Sequence, residues 1–142
     1  MSDEQQQLVS DISKWIECES PSSDPAALHR MAEIAASQAR ASGLRVDLTS
    51  IGDKKLPLLI VSNRAQGDTR PGILVLAHLD TVHPIGTIHT LNKLRIEGDR
   101  LYGPGSYDMK AGAYLALTAL CEHVSADSTK LPVDYLLSLI HI

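Results

Sequence analysis

Two uninterrupted apolar runs, LPLLIVSN at 56–63 and GILVLAHLD at 72–80, set the first constraint on this chain. Strands with one face in water alternate apolar and polar residues, whereas strands covered on both faces read as continuous Val, Ile and Leu. Both runs therefore predict central strands. LRVDLTSI, at 44–51, alternates Leu44, Val46 and Leu48 with polar residues and predicts an outer strand. A last apolar run, at 133–137, predicts another. Helical spacing precedes and separates these runs. Leu8, Ile12, Trp15 and Ile16 form one apolar stripe over 8–18, ending before ESPSSDP. Asp24 and Pro25 form a cap and first-turn pair for a second helix, in which Leu28, Met31, Ala35 and Ala39 share a face until Gly43 stops it. A third helical stretch runs from Lys110 to about Val124. The pattern predicts a layered α/β domain.

At 142 residues the chain is one domain's worth, or a piece of a larger one. Thirteen Lys and Arg against seventeen Asp and Glu give a net charge of -4, which supplies no field for nucleic acid or an anionic membrane. No segment approaches eighteen consecutive apolar residues, so no membrane span is expected. Cys18 and Cys121 stand far apart without C-x-x-C spacing, which favours free thiols in a reducing compartment. With an acidic, amide-rich start, the expectation is a cytoplasmic protein.

The chemistry-bearing residues fall in two stretches. In AHLDTVHP, 77–84, His78 and Asp80 are two apart, so a strand continuing through both would turn them to one face at its carboxyl end, where open α/β sheets keep ligands. An imidazole there can bind a metal while a neighbouring carboxylate holds the ring, or the pair can simply mark a solvated strand end. In RLYGPGSYDMKAG, 100–112, Gly103 and Gly105 allow a tight turn that delivers Asp108 to the start of a helix. Asp108 can equally be that helix's N-cap. A phosphate cradle is disfavoured, because the third glycine of a dinucleotide fingerprint would fall at Tyr107 or Asp108, and a carboxylate there repels phosphate.

AHLDTVHP followed after some twenty-five residues by LYGPGSYDMKAG resembles the paired signature of the zinc-dependent aminoacylase and carboxypeptidase metallopeptidases, among them glutamate carboxypeptidase, acetylornithine deacetylase and succinyl-diaminopimelate desuccinylase. ECESPSSDPAALHRMAEIAASQARASGLRVDL, 17–48, also resembles that family's opening helix, loop and helix. The resemblance implies a three-layer α/β sandwich with a mixed, mostly parallel sheet, and an enzyme that cleaves an amide bond next to an amino-acid carboxylate. It implies His78 as a ligand of one metal, Asp108 as a bridge between two, and Asp80 in a catalytic role as the residue that orients His78. It further implies a cis peptide between Asp108 and Met109. The cofactor is then Zn2+, two per intact site, with Co2+ as a substitute, and the substrate a small N-acyl amino acid or peptide. The intact protein would be a homodimer.

Where the family continues with an acidic pair after the strand LPVDYLLS, 131–138, this chain reads LIHI. No glutamate follows Glu122, so the general base and the remaining metal ligands are missing. The expectation is therefore the N-terminal part of a catalytic domain over 1–142, without its lid and C-terminal half, truncated or frame-shifted, inactive by itself, with 139–142 as an anomalous tail. The competing reading is a non-catalytic α/β fragment serving as an interaction module. Other residues are read more plainly. His83 is a loop histidine lining the cleft rather than a ligand. His29, His89 and His123 are surface or capping residues, and His141 falls in the tail. Lys110 is a solvated lysine at the helix start or a neutraliser of charge, and Tyr107 lines the cleft or packs. Tyr114, Leu117, Leu120 and Cys121 form a core stripe.

Overall fold

The computed structural model describes residues 2–125 and 131–139. Helix α1, Asp3–Glu17, starts five residues before the apolar stripe, because Ser2 and Gln5 close a reciprocal capping box ahead of it. Helix α2, Pro25–Ala41, begins as its sequence predicts: the Asp24 side chain accepts from the Ala27 amide and Pro25 opens the first turn. Helix α3 is Ala111–Ser125. The strands are β1 (Arg45–Ile51), β2 (Leu56–Ser62), β3 (Ile73–His78), β4 (Arg95–Glu97), β5 (Arg100–Tyr102) and β6 (Val133–Ser138). Strands β4 and β5 form a short hairpin that three-residue strands left invisible to a periodicity argument.

The main sheet runs β1-β2-β6-β3. It is mixed, as expected, but only β3–β6 is parallel, while β1–β2 and β2–β6 are antiparallel. The expected predominance of parallel strands is therefore corrected among the described residues. Period-two alternation gives β2 and β6 one buried face, carrying Leu59, Val61, Tyr135 and Leu137. All three helices pack into that single core, through Ile12, Trp15 and Ile16 of α1, Met31, Ala35 and Ala39 of α2, and Ala113 and Leu117 of α3. The stripe Tyr114, Leu117, Leu120 and Cys121 lies in this core, as its spacing predicts.

A second correction concerns GILVLAHLD. Strand β3 is not central; it closes one end of the sheet, and Ile73, Leu74 and Leu76 are exposed at 48%, 60% and 63%. Continuous apolarity signals burial on both faces, and here one face and the outer edge of that strand are open. No described helix is long and apolar enough to cross a membrane. Cys18 and Cys121 form no disulfide, and burial pushes the Cys18 thiol above its ordinary pKa. His141 and the rest of 140–142 lie outside the described residues.

Candidate metal centre

His78 is the last residue of β3, at the carboxyl end that the sequence pointed to. The ladder extends one step further, with the Leu79 amide donating to Ser138 O at 2.9 Å, and then the chain turns. Asp80 therefore reaches His78 through a turn and not through strand alternation. Its carboxylate is buried, with Oδ1 at 3.3 Å from His78 Nδ1, and its own carbonyl oxygen stands 3.0 Å from the same nitrogen. Both neighbours of Nδ1 are acceptors, so a proton on Nδ1 would be donated to them. The buried Asp80 carboxylate thus stands beside the ring of His78. Nε2, the opposite ring nitrogen, faces Asp108 Oδ1 at 3.0 Å.

The glycine-rich turn explains how Asp108 arrives there. Gly105 has φ +70°, and a Cβ on it would stand 2.5 Å from Thr81 Cγ2; a Cβ on Gly103 would stand 2.5 Å from Ile16 Cγ2. Only glycines let the loop pass so close to the β3 end and to α1. The backbone leaves helical geometry at Asp108 (φ -123°, ψ 100°) and Met109 (φ -134°, ψ 31°), and the peptide joining them is cis, as the resemblance implied. The carboxylate of Asp108 reaches across to His78 instead of capping α3. Its side chain is 74% exposed, open to a ligand from solvent.

Lys110 departs from the sequence reading. It is 1% exposed, and its Nζ donates to Trp15 O at 3.0 Å and Cys18 O at 2.6 Å. These carbonyls belong to the end of α1, where backbone acceptors lack helical partners and a cation complements the helix dipole. Burial pushes the amine down to about 8, against the opposing pull of Cys18 and Glu19. Lys110 is thus a buried clamp, neither solvated nor facing the carboxylates.

A cavity of about 230 Å³ opens over the pair, lined by His78, Asp80, His83, Asn92, Tyr107 and Asp108 among others. His83 lines the cleft as expected. Tyr107 does so too, and at 98% exposure its packing alternative is excluded. His29 is held at 2.7 Å from Lys55 O, far from the cavity, and His89 is exposed. Sequence reasoning missed two residues of the ESPSSDP region. Glu19 accepts from the Gly86 and Ile88 amides at 2.7 and 3.0 Å and so fastens the loop that carries His83. Ser22 donates to Asp80 Oδ2 at 2.5 Å. Neither carries a local signal, since their partners lie some sixty residues on.

The donor pair suits a metal. Two ligand atoms, each about 2.0–2.1 Å from one zinc at tetrahedral angles, stand about 3.3 Å apart, close to the 3.0 Å between Nε2 and Oδ1. With the proton on Nδ1, Nε2 would be the nitrogen open to a metal. Among the described residues, however, no three or more His, Cys, Asp or Glu side chains converge on one point. The pair is a partial donor set.

Comparison with known proteins bears on this geometry. Residues 74–138, a stretch that holds both motifs, match the family described as peptidase family M20/M25/M40. No curated protein sequence matches. Among solved structures, human carnosine dipeptidase 1 superposes with a TM-score of 0.74 at 20% identity, over 94% of this chain and 32% of that one. An M20 family metallo-carboxypeptidase from Sulfolobus solfataricus gives 0.70 at 21% identity, over 97% and 31%. A tripeptidase from Staphylococcus aureus gives 0.69 at 18%, over 94% and 36%. At these identities the likeness establishes the fold, and the chain spans about a third of the length of the structures it matches. Residues 74–138, with His78, Asp80 and Asp108 among them, are thus similar to the peptidase family M20/M25/M40.

Proposed function

We propose that the chain carries half of the zinc centre of an amide-bond hydrolase that cleaves small N-acyl amino acids or peptides beside an amino-acid carboxylate. The observation that supports this most is the convergence of His78 Nε2 and Asp108 Oδ1 at 3.0 Å at the carboxyl end of β3. His78, through Nε2, and Asp108 would hold the metal, and Asp80, beside Nδ1, would keep the ring in its orientation. Two such ions lower the pKa of a water and polarise the scissile carbonyl, with cobalt able to replace zinc. The cavity between Asp108 and the His83 loop receives the substrate. Residues 1–142 correspond to the N-terminal part of the catalytic domain, which fits the third of each relative that the chain covers. Cys18 and Cys121, which form no disulfide, support a reducing, cytoplasmic setting. The complete enzyme would be a homodimer.

Catalytic zinc takes three protein ligands, and the described residues bring together two. The 142-residue chain is therefore expected to hold at most one weakly bound zinc and to show no metal-dependent hydrolysis. Metal analysis after dialysis and an assay on N-acetyl amino acids with added Zn2+ or Co2+ check this. Turnover abolished by a chelator would overturn the claim of an incomplete centre, and an absence of any zinc binding would overturn the metal reading.

A second reading, a non-catalytic interaction module, is favoured by one feature: the exposed edge at β3 with Leu74 and Leu76 uncovered. Introducing Leu74→Glu and Leu76→Glu together is expected to reduce self-association in sedimentation velocity. Unchanged association would remove the support for that reading.

A further inference from the structure

Ser22 lies in a stretch read from sequence as an ordinary loop, yet it meets the metal centre from behind. Residues 20–22 run alongside 79–81 as a short parallel strap. Thr81 N donates to Ser20 O at 2.8 Å, Ser22 N donates to Thr81 O at 3.1 Å, and Ser20 Oγ donates to Leu79 O at 2.7 Å. The strap delivers the Ser22 hydroxyl to Asp80 Oδ2 at 2.5 Å, against 3.4 Å to Thr81 O, so its proton goes to the carboxylate. A hydroxyl donating to a carboxylate at that distance makes a strong, charge-assisted bond.

We infer that Ser22 is a positioning residue of the metal centre: its hydroxyl fixes the Asp80 carboxylate, which in turn fixes the His78 ring. The inference rests on the zinc reading above. The chain of contacts is continuous, from Ser22 Oγ to Asp80 Oδ2 and from Asp80 Oδ1 to His78 Nδ1 at 3.3 Å. It ends at Nε2, on the Asp108 side of the ring. A carboxylate has two oxygens on one plane, so a donor that pins one sets the direction in which the other is presented. Without it, Asp80 keeps its burial but loses the contact that pins Oδ2. The backbone bonds of the strap do not use the Ser22 side chain, and residue 22 is exposed. Removing the hydroxyl therefore leaves the backbone bonds of the strap in place, and what is lost is the contact to Asp80 Oδ2.

The test compares the full 142-residue chain with Ser22→Ala and Ser22→Thr, the latter restoring a hydroxyl. In the metal-free proteins, solvent exchange of the His78 Nδ1 proton is followed by NMR. Zinc is then titrated calorimetrically. Ser22→Ala is expected to exchange that proton severalfold faster and to bind zinc about tenfold more weakly, the lower end of the range for loss of a group that orients a metal ligand. Its melting temperature should fall by no more than a few degrees, the cost of one lost contact to the buried Asp80 carboxylate. Ser22→Thr should restore both readouts, a rescue that a purely structural serine would not produce. Unchanged exchange or unchanged zinc affinity in Ser22→Ala, or failure of threonine to rescue, overturns the inference. If the parent chain binds no zinc, the metal reading falls while the exchange measurement alone decides whether Ser22 positions His78.

Discussion

Replacement of Lys110 by methionine is expected to destabilise the chain by about 2–3 kcal/mol, the cost of leaving buried acceptors unpaired. Methionine keeps the length of the side chain, so packing is largely preserved and the loss isolates the ammonium. What disappears is the pair of bonds from Nζ to Trp15 O and Cys18 O, at 3.0 and 2.6 Å. Those carbonyls sit at the end of α1, with no following turn to satisfy them. The measurement is urea denaturation of parent and variant, read as the change in midpoint at equal slope. A change within about 0.5 kcal/mol, the usual range for surface substitutions, would show that Lys110 is not the clamp its burial indicates.

Asp108→Asn, two residues earlier, should behave in the opposite manner. The Asp108 side chain is 74% exposed and makes its described contact with His78 alone, so the variant should unfold at the same urea concentration as the parent. Zinc affinity should fall by more than about 100-fold, beyond the 10- to 100-fold typical of groups that only orient ligands. An amide oxygen cannot neutralise or bridge cations as a carboxylate does. Calorimetric titration with Zn2+ decides the matter, and full retention of affinity would remove Asp108 from the site. Lys110 and Asp108 thus separate stability from metal binding within one pentapeptide.

Much of the fold was legible because local rules decide it. The Asp24–Pro25 start of α2, the stripe of Tyr114, Leu117 and Leu120, and the outer position of β1 follow from capping chemistry and periodicity. The misreadings arose where burial depends on elements that a local window does not contain. Strand β3 carries the composition of a central strand but closes the end of the sheet among the described residues, so composition reported an environment that these residues do not themselves complete. The site was legible to the same extent. His78 and Asp108 were marked by spacing and by glycine punctuation. Ser22 and Glu19 were not, because a serine in a serine-rich loop looks like any other until its partner, 58 residues on in the case of Asp80, is brought beside it. Lys110 was misread for a related reason: lysine is rarely buried, and only the nearby end of α1 explains why this one is.

The end of α1 acts as a common post for the two walls of the cavity. Lys110 grips its last carbonyls and holds the turn bearing Asp108, while Glu19, two residues beyond the helix, holds the amides of Gly86 and Ile88 and so the loop bearing His83. The two walls thus share one anchoring segment, residues 15–19, and a change in packing at the end of α1 bears on both at once.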